Sequence, residues 1–220
     1  MTTMPSTIDP VALRSILARY LPIYHRRKPH YQEVMLQSLM AVWKGHHASL
    51  LDIGGGTGVI AEAIARLMPV ARVETVDMVD RFCAGLTVRA QAYDGKRLPF
   101  ADGSFDSATL NNVLHHVPPA QRVELLCEIR RTVSGPLYIK DHLQTGMIDR
   151  LRLIALDAIG NTPFGGMIAA DYLGWDEWVE TTQQAGWKIA DQAAPARYRR
   201  GLMALVFPNR LEITLRLEPA

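Results

Sequence analysis

Apolar positions set a rhythm along the chain that changes twice. From about residue 9 to residue 45, Val11, Leu13, Ile16 and Leu17, and then Val34, Met35, Leu39 and Met40, recur at helical spacing and predict helices. The stretch His25 to Tyr31, with Pro29 and its basic neighbours, interrupts them. From Ser49 onward short apolar runs alternate with helix-period stretches. "SLLDIG", "ARVETVD", "RAQAYDG", "SFDSATLNNVL" and "GPLYIKD" read as strands. "GVIAEAIARLM", "MVDRFCAGLTV", "PAQRVELLCEIRRTV" and "GMIDRLRLIALDAI" read as helices. Strands alternating with helices of this length predict crossover units and a parallel sheet.

After Gly160 the alternation stops. "NTPFGG" reads as a loop, "DEWVETTQQAG" as a helix, "WKIADQ" as a strand and "GLMALVFP" as a last strand. About ten polar residues join the last two strands, which predicts an antiparallel hairpin at the sheet edge. The expected fold class is therefore α/β, a doubly wound, seven-stranded, mostly parallel sheet with an antiparallel edge hairpin. A helical cap over residues 1–48 precedes a domain over residues 49–220, the two forming one structural unit.

Composition narrows the function classes. The chain has 220 residues, 48% of them hydrophobic and 21% charged, which is ordinary for a globular fold. A net charge of +2 gives no electrostatic case for nucleic acid. Cys83 and Cys127 show neither a disulfide framework nor metal-ligand spacing, and suit a reducing cytoplasm. No signal peptide and no membrane-spanning apolar run is read. A homodimer is left open.

The glycine-rich segment "LLDIGGGTGVIAEAIA", Leu50 to Ala65, carries the first chemical signal. Gly58 is followed by Val59 and Ile60, so the lysine of a phosphate-gripping Walker loop is missing. A dinucleotide fingerprint fits only in a register displaced from the strand end (Gly56, Gly58, Ala61), because Val59 blocks the earlier one. Asp52 lies in an otherwise apolar strand just before the loop. A carboxylate there is poor company for pyrophosphate and good company for a ligand bearing positive charge.

"LLDIGGGTG", followed by "VETVDMVD", "AYDGKRLPFADGSFDSATLNNVLHHV" and "YIKDH", resembles class I S-adenosylmethionine-dependent methyltransferases, in particular the group that includes the ubiquinone and menaquinone biosynthesis enzymes. The resemblance runs from about Ser49 to His142; "Leu-Lys-Pro-Gly-Gly" before the fifth strand is replaced by "TVSGP". It implies S-adenosylmethionine as cofactor and S-adenosylhomocysteine as product. It places Gly54, Gly56 and Gly58 under the methionine part and the ribose, Asp52 near the ammonium, Asp77 on both ribose hydroxyls, and Asp94 with Gly95 at the adenine. Met78 and Tyr93 flank these positions, and Asn111, Asn112 and His115 line the methyl side.

Independently of the resemblance, a ligand in an open α/β sheet lies beyond the carboxyl ends of the strands. Asp52, Asp77, Asp94, Asn111, Asn112, His115, His116, Asp141 and His142 fall at those ends, although Asp77 also reads as a helix cap and Asp94 as an Asx-turn residue. Methyl transfer needs alignment, and for a hydroxyl acceptor a general base. His142, His115 and Asp141 are the catalytic candidates, with packing or backbone-bonding roles as the alternative. No metal site is read. Substrate-lining candidates are His116, Tyr24, Phe164, Tyr172 and Trp175, the last three in the glycine- and aromatic-containing segment Gly160 to Trp178. "LNNVLHH" lacks the Asn/Asp-Pro-Pro-Tyr pattern of DNA and glutamine amino-methylation, so the expected acceptor is a small molecule, aromatic, phenolic or quinone-like. The rival readings are an NAD(P)-dependent oxidoreductase, for which no Tyr-x-x-x-Lys is found, and a non-catalytic S-adenosylmethionine-binding protein.

Overall fold

The computed structural model describes residues 7–161 and 170–220. Two helices lead: α1 (Pro10–Tyr20), capped by Asp9 accepting from the Val11 N–H at 2.8 Å, and α2 (His30–Val42). Next come β1 (Leu50–Ile53), α3 (Val59–Leu67), β2 (Val73–Asp77), β3 (Arg89–Ala92), β4 (Ser107–Asn111), α4 (Pro119–Thr132), β5 (Leu137–His142) and α5 (Met147–Asn161). α6 (Trp175–Gln184), β6 (Trp187–Gln192), α7 (Gly201–Val206) and β7 (Glu212–Pro219) complete the chain.

The seven strands form one sheet in the order β3-β2-β1-β4-β5-β7-β6. Five are parallel, and β7 pairs antiparallel to both β5 and β6. Successive strand residues face opposite layers. Leu50, Val73 and Tyr138 pack with α1, α2 and α3, while Leu51, Ile53, Val76 and Ile139 pack with Leu126 and Ile129 of α4 and Trp178 of α6. The N-terminal helices thus share a core with α3. Among the described residues, no helix is long and apolar enough to cross a membrane.

Two expected elements differ. "MVDRFCAGLTV" is not a helix but turns and bends. Its apolar residues do recur at helical spacing, yet its backbone bonds elsewhere: the Cys83 N–H donates to Thr57 O at 2.9 Å, and Gly85 takes a left-handed φ of 77°. The segment lies as a strap over the glycine loop. "GLMALVFP" is not the last strand. Gly201–Val206 is α7, with Leu202, Met203, Leu205 and Val206 exposed. The strand is Glu212–Pro219, where buried Ile213, Leu215 and Leu217 alternate with Glu212, Thr214, Arg216 and Glu218. Period-two alternation outweighs an unbroken apolar run as a strand signal.

Candidate functional site

The sheet ends its parallel strands at one edge, and the polar residues read from the sequence gather there in two groups. The first surrounds the glycine loop. As β1 ends, the Gly54 and Gly55 N–H groups both donate to Val76 O, at 2.8 and 3.0 Å. Gly54, Gly56 and Gly58 have φ of 72°, 59° and 78°, a region costly for residues with a Cβ. A Cβ on Gly58 would also stand 2.5 Å from Leu86 Cδ1. The loop thus runs directly into α3.

Asp52 is 1% exposed. Its Oδ1 accepts from Thr109 Oγ1 at 2.8 Å and Asn111 Nδ2 at 3.3 Å, and its Oδ2 accepts from Thr75 Oγ1 at 3.2 Å. Burial pushes its carboxyl up to about 6; the three hydrogen bonds pull the other way. Asp77 turns its carboxylate back to the loop: Oδ2 accepts from the Gly56 N–H at 2.8 Å and Oδ1 from the Val79 N–H at 3.0 Å. The Arg81 guanidinium lies 3.9 Å away. Asp94 is exposed, its Oδ1 accepting from the Lys96 and Arg97 N–H groups, both at 2.9 Å. This is the Asx-turn arrangement. Met78 reaches over Gly95, so that a Cβ on Gly95 would meet Met78 Cε at 2.7 Å. The main-chain N–H of Tyr93 donates to Asp77 O at 3.0 Å.

The donor set fits S-adenosylmethionine, the cofactor that the sequence resemblance implies. Carboxylates at the ends of β1 and β2 stand on either side of left-handed glycines. At the end of β4, on the other side of β1, the buried Asn111 Oδ1 has no hydrogen-bond partner, an acceptor open to a ligand's ammonium. Asp52, Asp77, Asn111 and the loop glycines are the residues that would hold the group.

The second group lies at the ends of β4, β5 and β7. Asn112, with a φ of 55°, turns its Oδ1 away from the loop and accepts from Lys140 Nζ at 2.7 Å and Tyr31 OH at 3.2 Å. Lys140 is wholly buried in mid-sheet and pairs with Glu212 Oε2 at 2.6 Å. His142 stands directly across from Glu212 in the β5–β7 register, its Nδ1 3.2 Å from Glu212 Oε2 and its Nε2 3.6 Å from Asp157 Oδ1. Arg199 closes on the other Glu212 oxygen at 2.7 Å. His115 sits between two acids, its Nδ1 hydrogen-bonded to Asp141 and its Nε2 3.4 Å from Asp157 Oδ2. Asp141 also accepts from the Leu114 and His142 N–H groups. Tyr172 OH donates to Asp157 Oδ2 at 2.6 Å, and its ring stacks on His115.

Buried charges persist only when paired, and here signs alternate from group to group. Burial would lower His115, but Asp141 and Asp157 outweigh it and raise it to about 9. Burial works against the charged form of Asp141 too, and the two histidines hold it at about 2. Desolvation lowers His142, and Glu212 reverses this to a net rise. Asp157 is held far below the carboxylate range by the same histidines, against burial.

Most of the residues expected at this side are therefore brought together: His115, His142, Asp141 and Tyr172 in mutual contact, with the His116 ring centroid 4.0 Å from that of His115. Trp175 is partly exposed at the start of α6. Tyr24 is a correction. It is buried among Leu13, Leu17 and Leu36 in the helical core, and the N-terminal tyrosine that reaches the strand ends is Tyr31. Phe164 lies outside the described residues. The sequence reading missed Lys140, Asp157, Arg199 and Glu212. Lys140 carried a signal, a charged residue inside the central strand "LYIKDH", which requires a buried counter-ion.

Known proteins resemble the chain in sequence and in fold. Residues 51–135 match the methyltransferase domain family. Over 113 residues the chain is 34% identical to the ubiquinone/menaquinone biosynthesis C-methyltransferase UbiE of Paracoccus denitrificans, covering 46% of this chain. The match spans 44% of that relative, less than half its length. Among solved structures, the fold superposes on the putative methyltransferase crystallised with the Trm112 activator of Haloferax volcanii, with a TM-score of 0.68, 14% identity, and 94% and 97% of the two chains covered. It also superposes on the geranyl diphosphate C-methyltransferase of Streptomyces coelicolor, with a TM-score of 0.62, 14% identity, and 97% and 89% covered.

Proposed function

Given that the chain carries a class I S-adenosylmethionine-dependent methyltransferase domain, we propose that it transfers a methyl group to a small-molecule acceptor seated over the ends of β4 and β5. The observation that carries this reading is the pairing of the two groups at one sheet edge. Asp52, Asp77 and the glycine loop form one half. The charged cluster of His115, Asp141, His142 and Asp157 forms the other.

The cofactor, when bound, supplies a methyl group on a sulfonium, already activated for in-line displacement. The chain's own work is to position. Asp52 faces the ammonium, Asp77 and the Gly56 backbone fix the ribose, and Gly95 with Met78 and Tyr93 borders the adenine. On the other side His142, His115 and Asp141 form a charged wall that orients the acceptor's polar group, while Tyr172, Tyr31 and Trp175 offer flat apolar contact. That contact, together with the UbiE likeness, supports an aromatic, phenolic or quinone-like acceptor. Titrating purified protein with S-adenosylhomocysteine and separately with NADH tests the premise. Saturable S-adenosylhomocysteine binding is expected, and a protein that binds NADH alone refutes it. Turnover with a panel of phenols and quinols then tests the acceptor class.

The raised Asp52 carboxyl gives this reading a pH signature. Unfolded, the group titrates near 3.9, and folded near 6. Between those values the native state binds the extra proton, so this residue's contribution to stability rises as pH falls from above 6 toward 4. Ligand binding runs oppositely, since an ammonium prefers the carboxylate. S-adenosylhomocysteine affinity is expected to fall by up to about tenfold for the unit below pH 6, one pKa unit being a factor of ten. Isothermal titration at pH 7 and pH 5 checks this. Asp52→Asn should flatten the dependence, and an unchanged slope in that variant rules the residue out as its source.

A further inference from the structure

Three side chains on the acceptor side have ligand atoms that face one another. His115, His116 and Asp157 each offer one ligand atom, and these atoms lie within 4.8 Å of one another, close enough for side-chain rotation to bring them onto one ion. The buried His115 Nε2 points at Asp157 Oδ2 across 3.4 Å without making a hydrogen bond, and it has no other hydrogen-bond partner. Such an orphaned nitrogen, 1% exposed, calls for an explanation. The opposite nitrogen supplies part of it. Nδ1 of His115 is bonded to Asp141, whose remaining oxygen is tied to the Leu114 N–H at 3.0 Å. A carboxylate on one imidazole nitrogen fixes the ring and aims the other at a ligand position, the outer-shell arrangement of metal-bound histidines, and a bound ion takes the place of the proton that nitrogen carries in the metal-free chain. Asp157 in turn is oriented by Tyr172 OH at 2.6 Å, which leaves other lone-pair positions of the carboxylate open.

We propose that His115 Nε2, His116 and Asp157 form a binding site for one divalent first-row transition metal, with Asp141 as its positioning carboxylate. Two imidazoles and one carboxylate favour zinc, iron(II), manganese or cobalt over magnesium or calcium, which prefer oxygen ligands throughout. Three protein ligands leave coordination positions open, on the side where the acceptor is proposed to sit. The site itself rests on residues of this chain and not on the methyl-transfer reading; only its use in holding an acceptor oxygen does.

Untagged protein stripped of metal by a chelator and titrated with Co2+ tests the proposal through visible absorption. One Co2+ per chain is expected, with ligand-field bands and no thiolate charge-transfer band. His116→Ala and Asp157→Asn should each weaken binding by about tenfold or more, and Asp141→Asn by about 10- to 100-fold, the range for loss of an outer-shell partner. His116 is only half-buried, so its variant reports even where Asp157→Asn does not fold. No saturable binding up to millimolar Co2+ would overturn the site. So would wild-type affinity in His116→Ala, or a thiolate band marking Cys127 as the ligand. None of these readouts depends on turnover, so the site can fail while the methyltransferase reading stands.

Discussion

Replacing Glu212 with Gln should cost the fold about 3–5 kcal/mol, the scale for removing one partner of a buried ion pair. Glu212 is the shared counter-charge of Lys140 at 2.6 Å, Arg199 at 2.7 Å and His142 at 3.2 Å. Coulombic attraction to Lys140 and His142 outweighs burial and holds its carboxyl well below the usual range. Glu212→Gln strands Lys140, whose remaining neighbours are the neutral Asn112 and Tyr31 and the faces of Tyr31 and Tyr198. The reciprocal change is milder. In Lys140→Met, Glu212 keeps Arg199 and His142, and the methionine packs against the two tyrosine rings. The midpoint of urea unfolding at pH 7 should therefore drop much further for Glu212→Gln than for Lys140→Met. Equal losses would show that the cluster behaves as an isolated pair and not as a network around one acid.

Asp77→Ala should weaken S-adenosylhomocysteine binding by about 1–3 kcal/mol, the range for a lost hydrogen bond to a charged group and for the penalty of an unmade one. That is roughly a five- to 150-fold rise in Kd. Asp77 acts on the ligand directly through the proposed ribose contacts, and indirectly by holding the loop: its two oxygens fasten the Gly56 and Val79 N–H groups at 2.8 and 3.0 Å. Asp77→Asn retains one oxygen for the loop but loses the charge and one acceptor, so it should fall between wild type and Ala. Unchanged affinity in Asp77→Ala would refute the ribose role, and calorimetric titration beside a thermal melt separates binding from loop loosening.

The parallel half of the sheet was legible because its determinants are local: apolar blocks of strand length, glycines at the β1 turn, and an acid at each of the first strand ends. The antiparallel edge pair was also expected, yet with the wrong last strand. Its true partner reads "EITLRLEP", where alternate residues are polar or charged and only the sheet context buries Glu212. The strap after β2 imitated a helix because Phe82, Cys83 and Leu86 keep helical spacing while packing inward from an uncoiled backbone. At the site, strand-end residues could be placed from the sequence, since strand termini fix their position. Asp157 and Arg199 could not. One lies in a helix of ordinary amphipathic pattern and the other in a loop, and each acquires its role only when elements far apart in sequence meet. His142 could be placed at the end of β5 but not between Glu212 and Asp157, a pairing that depends on β7 and α5 together.

The position of β7 between β5 and β6 has a consequence for the order of assembly. Five strands can pair as they emerge from sequence, each beside a neighbour already made. β5 and β6 cannot meet without β7, which is formed from residues 212–219, some 70 residues after its partner Lys140. Until that strand inserts, β5 presents a bare edge, the kind of template that recruits other chains, and Lys140 has no carboxylate to face. The last strand to be made thus closes the sheet and neutralises its centre in the same event. A nascent chain stalled short of it would carry the glycine loop complete and the acceptor side unbuilt.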